Sequence, residues 1–336
     1  MDKFSDTDPP VTDTPVSEDD WIIHSINIHG VFFERVCKKI IEDTPPWRVV
    51  SPNVPVEFPP PTDHSRGKES NLDIWARLRH RSGYDGGLRI LSLLIECKKN
   101  NPEFVKWVFF PKQSGNSRKM QRQGGEQIAI RDVTMWHDPD SPKGWTVRPR
   151  IMRWALEADL PITDEARETR GSYKDHKTIN TKTKTANTAI SEAAYQVALG
   201  TQAIFLSESR YLINKFERTE LSPAFPLRDM PWMKQFFLPV IVTSAQLFTC
   251  DFSPDDIDPI SGIIPLSKPM LTERQELLFE YPLPRHLQAM PLFPQVAKDE
   301  GELDLFNRMH IRVVHSGYLP EFLKNLAKES DTFFDF

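Results

Sequence analysis

From Leu72 to His80, the apolar side chains Leu72, Ile74, Ala76 and Leu78 alternate with Asp73, Trp75, Arg77 and Arg79. This is the two-residue period of a half-buried strand. Leu88–Lys99 is almost continuously apolar, which places a second strand near the middle of a sheet. Between them, residues 82–87 (SGYDGG) supply the glycines and the aspartate of a hairpin turn. Ahead of this pair, Gly30–Asp43 carries Phe32, Phe33, Val36, Cys37, Ile40 and Ile41 on one arc, and Arg35, Lys38, Lys39 and Glu42 opposite. That spacing predicts an amphipathic helix, with Glu34 at the edge of the apolar arc.

The proline-broken segment 44–61 predicts one irregular edge strand, and Phe104–Phe110 a further strand. Lys112–Gln127 reads as a basic loop. In residues 135–154, Asp138-Pro139-Asp140-Ser141-Pro142 is turn chemistry, which takes precedence over metal binding by His137, Asp138 and Asp140. Thr163–Lys184, mixed in charge, predicts a long exposed connection. Thr188–Ala203 predicts a helix whose small face (Ala189, Ala193, Gly200) approaches a sheet closely, with Gln196 as its polar member. In the last third, Phe236–Ser244 and Gln246–Phe252 read as a second hairpin. Leu277–Tyr281 and His310–Val314 read as strands, and Pro320–Lys328 as a short helix. The expected fold class is therefore α/β, a mixed central β-sheet flanked by helices.

Composition adds limits. A chain of 336 residues, 39% hydrophobic and 26% charged, suits a globular protein with a substantial core. Residues 1–20 hold seven acids and one lysine, a net of −6 that leaves +1 for the rest of a chain whose total is −5. They predict a disordered acidic tail, with 21–336 as a single elaborated domain. A near-neutral body neither demands nor excludes a polyanionic partner, since local patches decide that. No apolar run has membrane-spanning length and the N-terminus lacks a basic-then-apolar signal, so the default location is cytoplasmic. Cys37, Cys97 and Cys250 lack zinc-type pairing and are expected to be buried thiols. P-loop, dinucleotide-binding, zinc-protease and hydrolase-elbow motifs are absent from the sequence.

The remaining candidate chemistry lies on the hairpin. Glu96 and Lys98 are two residues apart and share a strand face, Asp73 brings a second carboxylate alongside, and Cys97 points the other way into the core. Ionic residues ending so apolar a strand are costly unless paired or bound to metal.

The acid on the helix, then Asp73, then Glu96-Cys97-Lys98 resembles the core of the PD-(D/E)xK nuclease superfamily. In that pattern an acid in one strand precedes an acid-x-lysine triplet on the next. Leu72 stands where a proline often precedes the first acid. The resemblance implies a restriction-endonuclease-like core with insertions and a C-terminal β-rich extension. It implies hydrolysis of phosphodiester bonds in nucleic acid, DNA ahead of RNA, with Mg²⁺ or Mn²⁺ held by Asp73, Glu96 and Glu34. Lys98 and Gln196 would complete the catalytic set, and Lys112, Arg118, Lys119 and Arg122 would contact phosphates. A setting of anti-phage defence or restriction, and a protein partner or homo-oligomer, are expectations of the same kind. The alternative is a nuclease-fold subunit that binds or assembles without cutting; a blander one is a structural ion pair among Asp73, Glu96 and Lys98.

Overall fold

The computed structural model describes Asp19 and residues 30–58, 68–81, 87–100, 106–112, 127–137, 145–155, 160–169, 188–217, 233–265, 267, 269–288 and 307–333. The rest of the expected acidic tail, the hairpin turn 82–86, the loop residues Arg118, Lys119 and Arg122, the 138–144 turn and residues 170–187 lie outside these.

The chain opens with helix α1 (Val31–Glu42), β1 (Arg48–Phe58), β2 (Lys68–Arg81) and β3 (Leu88–Lys98). The two strands of the expected hairpin pair antiparallel, and β1 is the predicted edge strand, antiparallel to β2. The apolar arc of α1 is wider than the surface it buries. Cys37 and Ile41 are buried, whereas Val31, Phe32 and Val36 are exposed.

Four strands then intervene: β4 (Lys106–Pro111), β5 (Gln127–His137), β6 (Trp145–Ala155) and β7 (Ile162–Thr169). The connection expected over Thr163–Lys184 is corrected here, because its first residues form β7, with Thr163 buried and its hydroxyl bonded to the Leu278 carbonyl at 2.9 Å. The antiparallel pair of β5 and β6 was not anticipated either. Its buried Arg131 and Asp132 obscure the strand pattern in the sequence.

Helix α2 (Thr188–Glu217) extends 14 residues beyond the predicted end. Its first turn is held from another element: the Glu168 carboxylate on β7 accepts the amides of Ala189 and Ile190 at 2.8 and 3.0 Å. This satisfies two of the donors that a helix start leaves open and sets an anion at the positive end of the dipole. Ala193, Ala194, Val197, Ala198 and Leu199 are buried against the sheet. A Cβ placed on Gly200 would meet Leu72 Cδ1 at 3.0 Å and Cβ at 3.3 Å. Gly200→Ala is therefore expected to destabilise the chain by about 1–2 kcal/mol: overpacking costs roughly 1–3 kcal/mol, and better helix propensity returns somewhat less than 1. Chemical denaturation measures this, and a stabilised variant would refute the close approach.

After α2 come β8 (Met233–Thr243), β9 (Gln246–Asp251), β10 (Met270–Arg274), β11 (Glu276–Pro282), β12 (Arg308–His315) and helix α3 (Leu319–Phe333). The described residues thus form an α/β fold with one mixed sheet of 12 strands and three α-helices. The expected β8–β9 hairpin is overturned. One edge of β8 is taken by β3, parallel over its full length, and the other is shared between β5 at its start and β12 at its end. β9 instead lies between β4 and β10. The parallel pairing of β3 with β8 breaks off at Lys98 and Thr243, and the strands that follow each, β4 and β9, are again parallel. At that break Asn100 N donates to Ser244 Oγ at 2.8 Å.

Two hydrophobic clusters cover the two faces of the sheet. One lies under α2 and includes Leu72, Leu94, Phe237 and Ile241. The other lies under α1 and α3 and includes Cys37, Ile74, Leu93, Ile95, Cys97 and Phe322. Among the described residues no helix is long and apolar enough to cross a membrane.

Candidate active site

The simple alternation expected for β2 fails at Asp73. Leu72 joins the cluster under α2, whereas Ile74, Ala76 and Leu78 all join the cluster under α1. The inversion has a partner on the neighbouring strand. Pro52 pairs with Ile74 and Val54 with Leu72, so Asn53 lies opposite Asp73, and Asn53 has φ +47°. Asparagine tolerates this left-handed conformation better than most residues.

The β2–β3 ladder ends at Ile74–Ile95, immediately before Asp73 and Glu96. Beyond it, Asp73 Oδ2 accepts the Cys97 amide at 2.7 Å, replacing the missing ladder bond with a charge-assisted one. The end of the ladder and this amide bond hold the carboxyl against β3.

Glu96 is 5% exposed, and its Oε2 is buried without a hydrogen-bond partner. Burial pushes its carboxyl up to about 9, with Asp73 and Glu34 acting in the same direction and Lys98 against them. Asp73 is raised to about 7, first by burial and then by Glu34, while the Cys97 amide and Lys98 oppose the rise. Two adjacent carboxyls held above their ordinary range, Glu96 buried and Asp73 half-buried, carry an ionisation cost that a nearby positive charge would relieve.

The structure thus brings Glu34, Asp73, Glu96 and Lys98 within one electrostatic neighbourhood. Glu34 is half-buried on α1. Lys98 is half-buried, and its Nζ lies 3.3 Å from Glu192 on α2. Glu192 is the member of this neighbourhood that the sequence pattern did not disclose; its one clue is its place four residues before Gln196, one helical turn away. Gln196 is itself half-buried. Cys97 faces away, as expected. Its thiol is hydrogen-bonded to Cys37 and buried, and both effects hold it well above the ordinary thiol range, which removes it as a nucleophile.

Asp73 and Glu96 offer the hard oxygen donors that Mg²⁺ or Mn²⁺ prefers, and the unpartnered Glu96 Oε2 is an open ligand position. Among the described residues no three His, Cys, Asp or Glu side chains are grouped closely enough to hold a metal ion. Two carboxylates are the donors present, a number compatible with Mg²⁺, which commonly takes one or two carboxylates and fills its other positions with water and substrate.

Lys112 lies elsewhere, bonded to both carboxylate oxygens of Glu280 at 2.7 and 2.9 Å. It belongs to an internal ion-pair network rather than to the carboxylate site.

Comparison of the chain with protein-family models, with curated proteins and with solved structures found no match.

Proposed function

We propose that the chain is a metal-dependent nuclease that hydrolyses phosphodiester bonds at Asp73, Glu96 and Lys98. The observation that carries this reading is the pair of carboxyls where the β2–β3 ladder ends, Asp73 half-buried and Glu96 buried with an unsatisfied oxygen, with a lysine two residues along the same strand face. The mixed sheet β1-β2-β3-β8, flanked by α1 and α2 and interrupted by β4–β7, supports a restriction-endonuclease-like core with insertions. Glu34 on the helix before the strands and Gln196 on the helix after them support the same resemblance.

Asp73 and Glu96 would hold the divalent cation, which when bound polarises the phosphate and acidifies an attacking water. Asp73 is held in place for this by the Cys97 amide, which donates to its Oδ2. Lys98 orients the water and offsets charge in the transition state. Its tie to Glu192 is weak, because that carboxylate is 61% exposed, so the ammonium is free to exchange it for a substrate phosphate. Glu34 adds negative potential beside the cation and positions a second water. DNA is the preferred substrate over RNA, and a role in anti-phage defence or restriction follows by analogy with what such nucleases do.

The non-cutting alternative draws on the Lys98–Glu192 pair and on the absence of a three-acid group among the described residues. Incubating the purified chain with DNA and RNA, with Mg²⁺ or Mn²⁺ against EDTA, separates the two. Cleavage that needs the cation and is lost in Lys98→Ala is the expected result. Binding without cleavage on every substrate supports the alternative, and cleavage persisting through both chelation and Lys98→Ala ends the mechanism.

A further inference from the structure

The strand order of the sheet ends on two unlike edges. At one lies β1, which is interrupted by Pro52, Pro55 and the left-handed Asn53. Proline and bulges keep an edge from pairing with another chain. At the other lies β10, which among the described residues pairs with β9 alone, in unbroken register from Met270–Asp251 to Arg274–Leu247. No proline interrupts its sequence MLTER, and its outer side presents a row of amides and carbonyls.

Two adjacent residues narrow the kind of partner that fits. Met270 is 62% exposed and Leu271 60%. Neighbours on a strand project to opposite faces. Met270 shares the face of Arg274, whose pairing partner Leu247 belongs to the cluster under α2, and Leu271 lies on the other. A partner resting on either face would cover one of them, whereas a strand added in the plane of the sheet meets both. Ile260, 95% exposed, and the exposed Ile263 stand in the connection that joins β9 to β10, at the end where Met270 begins. Their turn is closed by its own bonds. Asp258 Oδ1 accepts the amides of Ile260 and Ser261 at 2.9 and 2.7 Å, the Asp258 amide donates to the Ile263 carbonyl at 3.0 Å, and Gly262 N donates to the Asp258 carbonyl at 2.8 Å. Gly262 adopts φ +67° there. A turn fixed in this way displays its apolar side chains with little further ordering cost on association.

We infer that β10 is a homodimer edge, on which β10 of a second copy adds antiparallel and continues the sheet. Antiparallel strands related by a twofold axis perpendicular to the sheet keep each face continuous, so paired positions share a face and the axis passes through one residue. An axis at Glu273 opposes two carboxylates, and one at Leu271 overlaps only 270–272 within the strand. An axis at Thr272 aligns the whole of β10. Thr272 then faces the partner's Thr272, Leu271 faces the partner's Glu273, and Met270 faces the partner's Arg274. No like charges are directly opposed, Thr–Thr is a favourable cross-strand pair, and the stems of the charged side chains cover the exposed apolar ones. The strand is thus complementary to itself, the property an isologous interface requires, which assigns the edge to a second copy rather than to an unrelated peptide.

The surface is independent of the candidate active site, and its test involves no catalysis. Sedimentation of the full chain from low to high micromolar concentration is expected to show a monomer–dimer equilibrium, and hydrogen exchange at 270–274 to slow as the dimer fills. Leu271→Glu sets a carboxylate against the partner's Glu273 on both sides of the axis, and is expected to weaken association by about tenfold or more. Combining Leu271→Glu with Glu273→Lys turns that repulsion into attraction and is expected to restore the dimer. Both positions are exposed, so the variants keep the fold, which circular dichroism checks. A chain that stays monomeric, a dimer indifferent to Leu271→Glu, or one that the second change fails to restore overturns the pairing. Protection of 270–274 that does not vary with concentration also overturns it, and assigns the edge to another segment of the same chain.

Discussion

Glu96→Gln is expected to abolish metal-dependent cleavage, by at least about 10²-fold, while leaving a folded and slightly more stable protein. The two effects have one origin. Glu96 sits almost fully buried with an unpartnered oxygen, and its carboxyl is pushed up to about 9 by burial and by Asp73 and Glu34. Without a bound cation it is largely protonated at neutral pH, and glutamine closely imitates that neutral form. What glutamine cannot imitate is the anionic ligand, whose loss costs the site its charge stabilisation of the reaction.

The sign of the pH dependence follows. Because the folded value exceeds the ordinary 4.5, the folded chain holds a proton that the unfolded chain releases between about 4.5 and 9. This group's contribution therefore worsens as pH rises through that window in metal-free solution. Glu96→Gln removes the penalty, so its stability advantage should be near zero at pH 5 and grow towards pH 9, reaching about 1–3 kcal/mol, the usual cost of an unsatisfied buried polar group. Denaturation in EDTA across this range measures it. A purely structural ion pair with Lys98 predicts the reverse, a variant less stable at every neutral and alkaline pH and unchanged in activity.

The parts of this site legible in the sequence were those set by one strand alone. Glu96 and Lys98 end an apolar run, and a period of two fixes their common face and turns Cys97 to the other. Asp73 could be named from its spacing, but its aim could not. Its orientation depends on Asn53 across the ladder, whose positive φ accompanies the inversion of both strands. Periodicity within β2 predicts an unbroken alternation, and only the pairing shows where it fails.

The same distinction separates the elements that were anticipated from those that were not. α1, β2, β3 and α2 announce their type in their own patterns, even where, as at Asp73, the buried face does not follow the pattern. β5 does not, since it buries Arg131 and Asp132, which a local reading assigns to a loop. Their tolerance comes from distant partners: Arg131 Nε donates to Gln202 on α2 at 2.7 Å, and Gln202 in turn donates to the Leu287 carbonyl at 2.6 Å. The β8–β9 hairpin failed for a related reason. Two strands joined by Ser244-Ala245 look like neighbours in sequence, yet β8 already has both edges occupied by β3, β5 and β12.

Removing the Glu280 carboxylate is expected to be the most destabilising single change, at about 3–5 kcal/mol for Glu280→Ala, the cost of leaving buried partners uncompensated. Glu280 on β11 is 4% exposed and accepts from Lys112, which follows β4, and from Arg308 on β12. His310 completes the set at 3.3 Å through Nε2. Since His310 Nδ1 accepts the Ala129 amide of β5 at 3.2 Å, Nε2 carries the hydrogen that faces Glu280. One carboxylate thus ties together four strands. Its neighbour on β11, Glu276, shows why the number of partners decides the outcome. Burial still raises Glu276 despite its bond to Arg312, whereas at Glu280 the hydrogen bonds of His310 and Lys112, with the Lys112 charge, outweigh burial and hold the carboxyl at about 2. With the folded value below the ordinary 4.5, the unfolded chain binds the extra proton, so this stabilisation is complete above about pH 4.5 and is lost as pH falls through 2. Glu280→Gln, similar in size but uncharged, should therefore be less stable than the parent at pH 7 and should approach it as pH is lowered to 3. Denaturant midpoints at the two pH values measure the convergence, and a deficit that stays constant would show that packing, not charge, holds these strands.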